Sequence, residues 1–237
     1  MQFRIGPACK FYLVVVMSTL PDPLPRKKSD ARRASLIQAT LDVIARDGVA
    51  AATVRTIARE AEVTQGLIRY YFRSKDDLIA AAYESHMQSL MQTAEDSLHG
   101  AGSAKCRLIR YLDTTLSKGV ASPQQVGTWA AFFQILLHDD TLIIHHSQSY
   151  TQIRLRTKTL MSDVFVEEGI SKSDSELRRL SISGCALLHG LWIEGGAIGD
   201  SFHPGELSRA GLESFGALMG VDLKGHRDRK KGCGPDH

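Results

Sequence analysis

Apolar residues return every three or four positions along most of the chain, and strand-like alternation is scarce, so the pattern predicts an all-α protein. Leu36, Ile37, Leu41, Ile44 and Ala45 form one stripe of a helix over about 30–47, which Gly48 stops. Two short helices follow. In the first, Val54, Ile57, Ala58 and Ala61 share a face behind Thr53, whose hydroxyl suits an N-cap. Glu62 and Val63 make a tight turn, and Thr64 caps a second helix over about 65–72, with Val63 stapled against Ile68. Ser74-Lys75-Asp76-Asp77 opens a longer helix over about 77–98, with Leu78, Ala81, Ala82, Met87, Leu90 and Met91 available for burial. Further helical stretches cover about 104–118, 123–138, 141–168, 174–198 and 204–219. Pro123 and Pro204 sit in expected first turns, and Ser173 with Glu176 makes a capping box.

On the second short helix, Ile68 with Tyr71 or Phe72 points inward, while Gln65, Leu67, Arg69 and Tyr70 have room outside. A hydrogen-bonding outer face on so short a helix suits the DNA major groove, where base edges are read by side-chain donors and acceptors. The string Thr53, Ile57-Ala58, Ala61, Val63-Thr64, Gly66, Tyr71-Phe72, Lys75 and Leu78 closely resembles the DNA-binding signature of the TetR family of bacterial transcriptional regulators. The match runs from about Ala31 to Leu78 and keeps the order and spacing of a whole three-helix unit. It departs at Glu62, where the family usually has glycine, so a slightly altered turn is expected.

The resemblance implies base contacts from Gln65, Arg69 and Leu67, close backbone approach at Gly66, and backbone positioning by Arg55, Thr64, Tyr71 and Lys75. It also implies nine or so helices in two parts: a DNA-binding domain over 29–76 and a ligand-binding and dimerisation domain over 77–220. Residues 1–28 read as an extended or disordered arm and 221–237 as a disordered basic tail. Pro21, Pro23 and Pro25 lead the arm into Arg26, Lys27 and Lys28, suited to the DNA backbone or minor groove.

Charge supports this division. Residues 1–80 carry 13 Lys and Arg against 8 Asp and Glu, whereas residues 81–220 carry 11 against 15. The basic end is the motif end, as a phosphate-facing domain requires. The apolar run from Phe11 to Met17 is too short to span a bilayer, and Met17 is expected to be the physiological start. Cys9, Cys106, Cys185 and Cys233 lie too far apart for a CxxC unit and suit a reducing cytoplasm.

In the expected ligand domain, Tyr111, Trp129, Phe132, Phe133, Tyr150 and Trp192 are candidates for a cavity lining, or for ordinary core. Trp129-Ala130-Ala131-Phe132, His138 and Gly190-Leu191-Trp192 resemble the BetI-type subgroup, which responds to choline. Aromatic faces attract quaternary ammonium groups. That subgroup usually carries aspartate where this chain has His189, which leaves another amine or an unrelated apolar molecule open as effector. Leu180, Gly184, Leu187 and Leu191, with Leu212 and Phe215, resemble the family's four-helix dimer interface, which a twofold palindromic operator requires.

His138, Asp139, Asp140, His145 and His146 lack the usual i, i+4 ligand spacing, so no metal is expected. Gly100 to Lys105 lacks the full phosphate-loop pattern, and no GxSxG elbow or nucleophile–base pair is evident. The chain is therefore read as a homodimeric, ligand-responsive repressor rather than an enzyme, without cofactor or membrane partner. The alternative is a DNA-binding activator or an effector-free regulator. A closed apolar cavity favours the first, a solid core the second.

Overall fold

The computed structural model describes residues 26–100, 102–136 and 138–223. Among these lie nine α-helices and no strand: α1 (Arg26–Asp47), α2 (Val54–Glu60), α3 (Gln65–Tyr71), α4 (Lys75–Asp96), α5 (Ala104–Thr115), α6 (Pro123–Leu136), α7 (Asp140–Glu167), α8 (Asp174–Ile198) and α9 (Glu206–Met219). The chain divides between Ser35 and Leu36 into two units. In the first, the described residues 26–35 form the opening turns of α1. Arg26, Lys27 and Lys28 are thus helical rather than part of an extended arm, the three prolines having ended just before them. All packing below lies within the second unit.

The capping chemistry largely explains where the helices begin. Thr53 Oγ1 accepts the Thr56 amide at 3.1 Å, Ser74 Oγ that of Asp77 at 3.0 Å, and Ser103 Oγ that of Cys106 at 3.2 Å. Ser173 and Glu176 close a reciprocal capping box. Thr64 differs: it has N-cap backbone geometry but its side chain makes no capping bond. Pro204 also differs, lying ahead of α9, which begins after a left-handed Gly205.

Between α2 and α3, Glu62 adopts φ 53°, in the left-handed region that favours glycine. The turn survives because Val63 N–H reaches back to Ala58 O at 2.9 Å. The irregular residue is tolerated and the motif is kept.

Two apolar clusters hold the second unit together. One joins Leu36, Val43 and Ile44 of α1, Ile57 of α2, Ile68 of α3, and Leu78 and Tyr83 of α4 to Phe132 and Leu136 of α6 and Leu142 of α7. The other packs Leu108 and Leu112 of α5, Leu160 and Phe165 of α7, Leu188 and Trp192 of α8, and Phe215 of α9. Val221 and Leu223 also belong to it, so the first residues of the expected basic tail are core. A Cβ on Gly196 would stand 2.2 Å from Val126 Cγ2 and 2.8 Å from Ser122 O, so glycine sets the close approach of α8 to the start of α6.

Several expectations fall outside the described residues: the Phe11–Met17 run, the prolines at 21, 23 and 25, and the tail from residue 224. No helix among the described residues is long and apolar enough to cross a membrane.

Candidate functional site

The α2–turn–α3 unit presents a polar surface. Arg55, Thr64, Gln65, Gly66 and Arg69 are exposed, as is Lys75 at the start of α4. A Cβ on Gly66 would meet only Thr64 Oγ1, at 3.9 Å, so internal packing does not require glycine there. The uncommitted Thr64 hydroxyl lies beside it. Arg46 has different work: its terminal nitrogens bind both Glu60 carboxylate oxygens at 3.2 and 2.9 Å, tying α1 to α2. This hydrogen bonding raises the Arg46 pKa and lowers that of Glu60.

Tyr70 stands outside and Tyr71 is drawn inward, as the helical spacing expects, which sets Tyr71 apart from the other candidate DNA contacts. Tyr71 is half-buried, and its hydroxyl is buried without a hydrogen-bond partner among the described residues. Tyr70, placed outside by the spacing but not among the expected DNA contacts, is 71% exposed. α3 ends at Tyr71, and Phe72 turns extended and is buried. Leu67 is half-buried, and exposed Arg73 extends the basic surface.

Deeper in the second unit, α4, α5, α6, α7 and α8 line a cavity of about 110 Å³. Its wall includes Tyr111, Trp129, Tyr150 and Trp192, four of the six aromatic candidates, with Met87, Ile153, Cys185 and His189. Phe132 and Phe133 do not line it. Phe132 is fully buried in the first apolar cluster, edge-on to Tyr83 with ring centroids 5.3 Å apart. Phe133 is 39% exposed and stacks on Trp129 at 5.0 Å. Cys185, Leu188, His189 and Trp192 share one face of α8 by helical spacing.

The lining rings are fixed by hydrogen bonds as well as contacts. Trp192 Nε1 donates to Val120 O at 2.9 Å, and Tyr150 Oη lies 3.0 Å from His189 Nε2. From Tyr150 the rings continue to His146, 4.2 Å away between centroids, whose Nδ1 is 2.6 Å from Tyr83 Oη on α4. A continuous ring path therefore links the cavity wall to α4. These partners are 39 and 63 residues apart in sequence, which hides them from pattern reading.

Burial keeps this region uncharged near neutral pH. Desolvation lowers the pKa of His146 and His189, with nearby His146 further lowering that of His189. It raises that of the Cys185 thiol and pushes Tyr150 and Tyr111 up to about 12. His86, whose Nε2 is buried and has no partner among the described residues, is pulled down to about 4. An unfolded histidine titrates near 6.5, so the unfolded chain binds more protons than the folded one between about 6.5 and 4. Stability is expected to fall as pH drops through that window, and His86→Leu to flatten the fall. Calorimetric unfolding at stepped pH checks this.

His145 pairs with Glu84 at 2.5 Å, and no three His, Cys, Asp or Glu among the described residues come together as a metal site. On α8 and α9, Gly184, Leu212 and Phe215 are buried within the chain, where a Cβ on Gly184 would meet the Phe215 ring at 3.2 Å. They fill the α8–α9 seam instead of facing a second copy. Leu180, Leu187 and Leu191 border that seam, half-buried, while Ile182, Ala186, Gly190 and Ala197 are exposed.

Fold and site define a helix-turn-helix DNA-binding regulator whose helical body holds an aromatic-lined cavity. The family model described as "Bacterial regulatory proteins, tetR family" matches residues 36–82. The HTH-type transcriptional regulator BetI of Paraburkholderia phytofirmans is 27% identical over 174 residues, 73% of this chain and 86% of that protein. The crystal structure of a transcriptional regulator from Pseudomonas aeruginosa PAO1 shares 30% identity with a TM-score of 0.71, covering 85% of this chain and 95% of that one. A regulator from Saccharomonospora viridis, crystallised with choline, shares the fold at 19% identity and a TM-score of 0.62, covering 81% and 96%. The chain belongs to the TetR family and is a DNA-binding transcriptional regulator.

Proposed function

We propose that the protein is a homodimeric repressor, released from a palindromic operator by a small quaternary amine of the choline type held in the aromatic cavity. Residues 29–76 are its DNA-binding part and 77–220 its ligand-binding and dimerisation part. The observation that carries this reading is the ring path from the cavity wall through His146 to Tyr83 on α4, the helix that directly follows the reading unit. A ligand pressing on Tyr150 or His189 acts through that path on α4. Release then follows if the ligand binds more tightly to the state whose paired α3 helices miss successive major grooves, about 34 Å apart.

The exposed Ile182, Ala186, Gly190 and Ala197 of α8, with Ala217 of α9, supply a face of apolar and small residues for the second copy. Leu180, Leu187 and Leu191 border it. The cytoplasm is the compartment for this work. The amine reading is supported by the aromatic lining, by the absence of positive charge on its neutral histidines, and by the choline complex and BetI names among similar proteins. A largely apolar cavity, in place of a solid core, also supports an effector over an effector-free regulator.

A thermal-shift titration tests the reading. Choline is expected to raise the unfolding midpoint progressively, corresponding to about 2.7 kcal/mol at a hundred times its Kd. Trp129→Leu keeps an apolar side chain but loses the ring face, and is expected to need roughly tenfold more choline. Equal affinity in the two proteins, or no shift with any quaternary amine, would sink the reading.

A further inference from the structure

Next to the aromatic cavity, the seam between α4 and α7 holds a second recess of about 270 Å³. The two share Met91, Ala94, Tyr111 and Ile153 as common wall. Their chemistry is opposite. The inner cavity has no carboxylate in its lining, whereas the outer recess carries Glu95 of α4 and Arg156 of α7, with Gln152 and Thr159 beside them. Tyr111 stands where they meet, hydrogen-bonded to Thr157 and within the field of both Glu95 and Arg156.

A quaternary cation among the inner rings lacks a counter-charge in its wall, and a buried charge is costly unless it is paired. Arg156, in the recess that shares this wall, offers a solution. Arg156 gives Nε–H to Glu95, and a guanidinium carries five donors in a planar fork that matches a carboxylate. Among the described residues its two terminal amino groups make no other hydrogen bond or ion pair. Glu95 repels a second carboxylate, so an incoming acid takes the terminal-nitrogen side of the fork. The pair is 41% and 35% exposed, and pairs of that kind are weak enough to rearrange.

We propose that the outer recess is a carboxylate subsite, and that the molecule sensed is a short zwitterion. Its quaternary ammonium sits among Trp129, Trp192, Tyr111 and Tyr150, and its carboxylate reaches Arg156. This rests on the amine reading above and sharpens it: the acid missing from the wall at His189 is carried by the ligand. Arg156 is also the residue tied to α4 through Glu95, so a ligand that draws the guanidinium inward loosens that tie.

The test is isothermal titration of the full chain with choline, with trimethylammonium carboxylates of one, two and three methylene spacers, and with butyrate. One zwitterion is expected to bind about tenfold or more tighter than choline, as a charged hydrogen-bonded contact allows. Arg156→Gln should erase that advantage while changing choline affinity less than about twofold, and Arg156→Lys should keep only part of it. Choline binding as tightly as every zwitterion, or a preference undiminished in Arg156→Gln, overturns the subsite and leaves the amine reading standing. If neither choline nor any zwitterion binds the wild-type chain, the amine reading fails and the subsite with it.

Discussion

Changing Gln65 and Arg69 together to alanine is expected to abolish sequence-specific DNA binding while leaving the fold intact. Both side chains are exposed on α3, whose one fully buried anchor is Ile68. Their removal takes nothing from the core. A bidentate side-chain contact to a base pair discriminates by roughly 1–3 kcal/mol, so two together supply about 2–6 kcal/mol, a factor between about thirty and about twenty thousand. Residual binding should be sequence-blind and steeply salt-dependent, because the cations at Arg55, Arg73 and Lys75 remain. Lys75→Ala is the contrast: it should weaken all sequences alike and reduce the salt slope by about one. Fluorescence anisotropy on matched and scrambled duplexes separates these behaviours.

The second large effect is on stability. Phe132→Ala is expected to cost about 3–5 kcal/mol, as a phenylalanine with no exposed surface leaves a cavity its neighbours only partly fill. Native domains hold only about 5–15 kcal/mol in total, so the variant should be near the edge of folding. Phe132 also packs α6 against Tyr83, at the end of the path from the cavity, and lies near His86 at 6.2 Å. Phe133→Ala, one residue on but 39% exposed, should cost less than about half as much. Urea unfolding of both variants decides it, and equal losses would contradict the assignment of Phe132 to the core.

The same pair of residues illustrates what the sequence could reveal. Helical spacing put Trp129, Phe132 and Phe133 near one face, but a single residue turns about 100°, and which edge is buried depends on distant partners. Phe132 is claimed by α4, which only the folded chain brings against it. Caps were legible because they are local: Thr53, Ser74 and Ser173 each bond an amide three residues on. Thr64 looked identical in sequence and makes no such bond.

The turn at Glu62 was legible through the resemblance, which has glycine there, and the glutamate keeps the left-handed backbone that a glycine would favour. The burial of the Tyr71 hydroxyl, the burial of Val221 and Leu223, and the internal use of Leu212 and Phe215 all depend on packing between remote segments. So do the Tyr83–His146 and Tyr150–His189 pairs. Helix order and the reading unit therefore came from the sequence, while the cavity's connections came from the fold.

The most direct measurement is a binding titration of the purified full chain on duplex DNA from upstream of its own gene, with and without a quaternary amine, at fixed salt. Saturable binding of two chains per palindromic site, lost in the Gln65→Ala, Arg69→Ala double variant and weakened at least tenfold by the amine, is the predicted result. Binding that is indifferent to sequence, or unchanged by the double substitution, would contradict it.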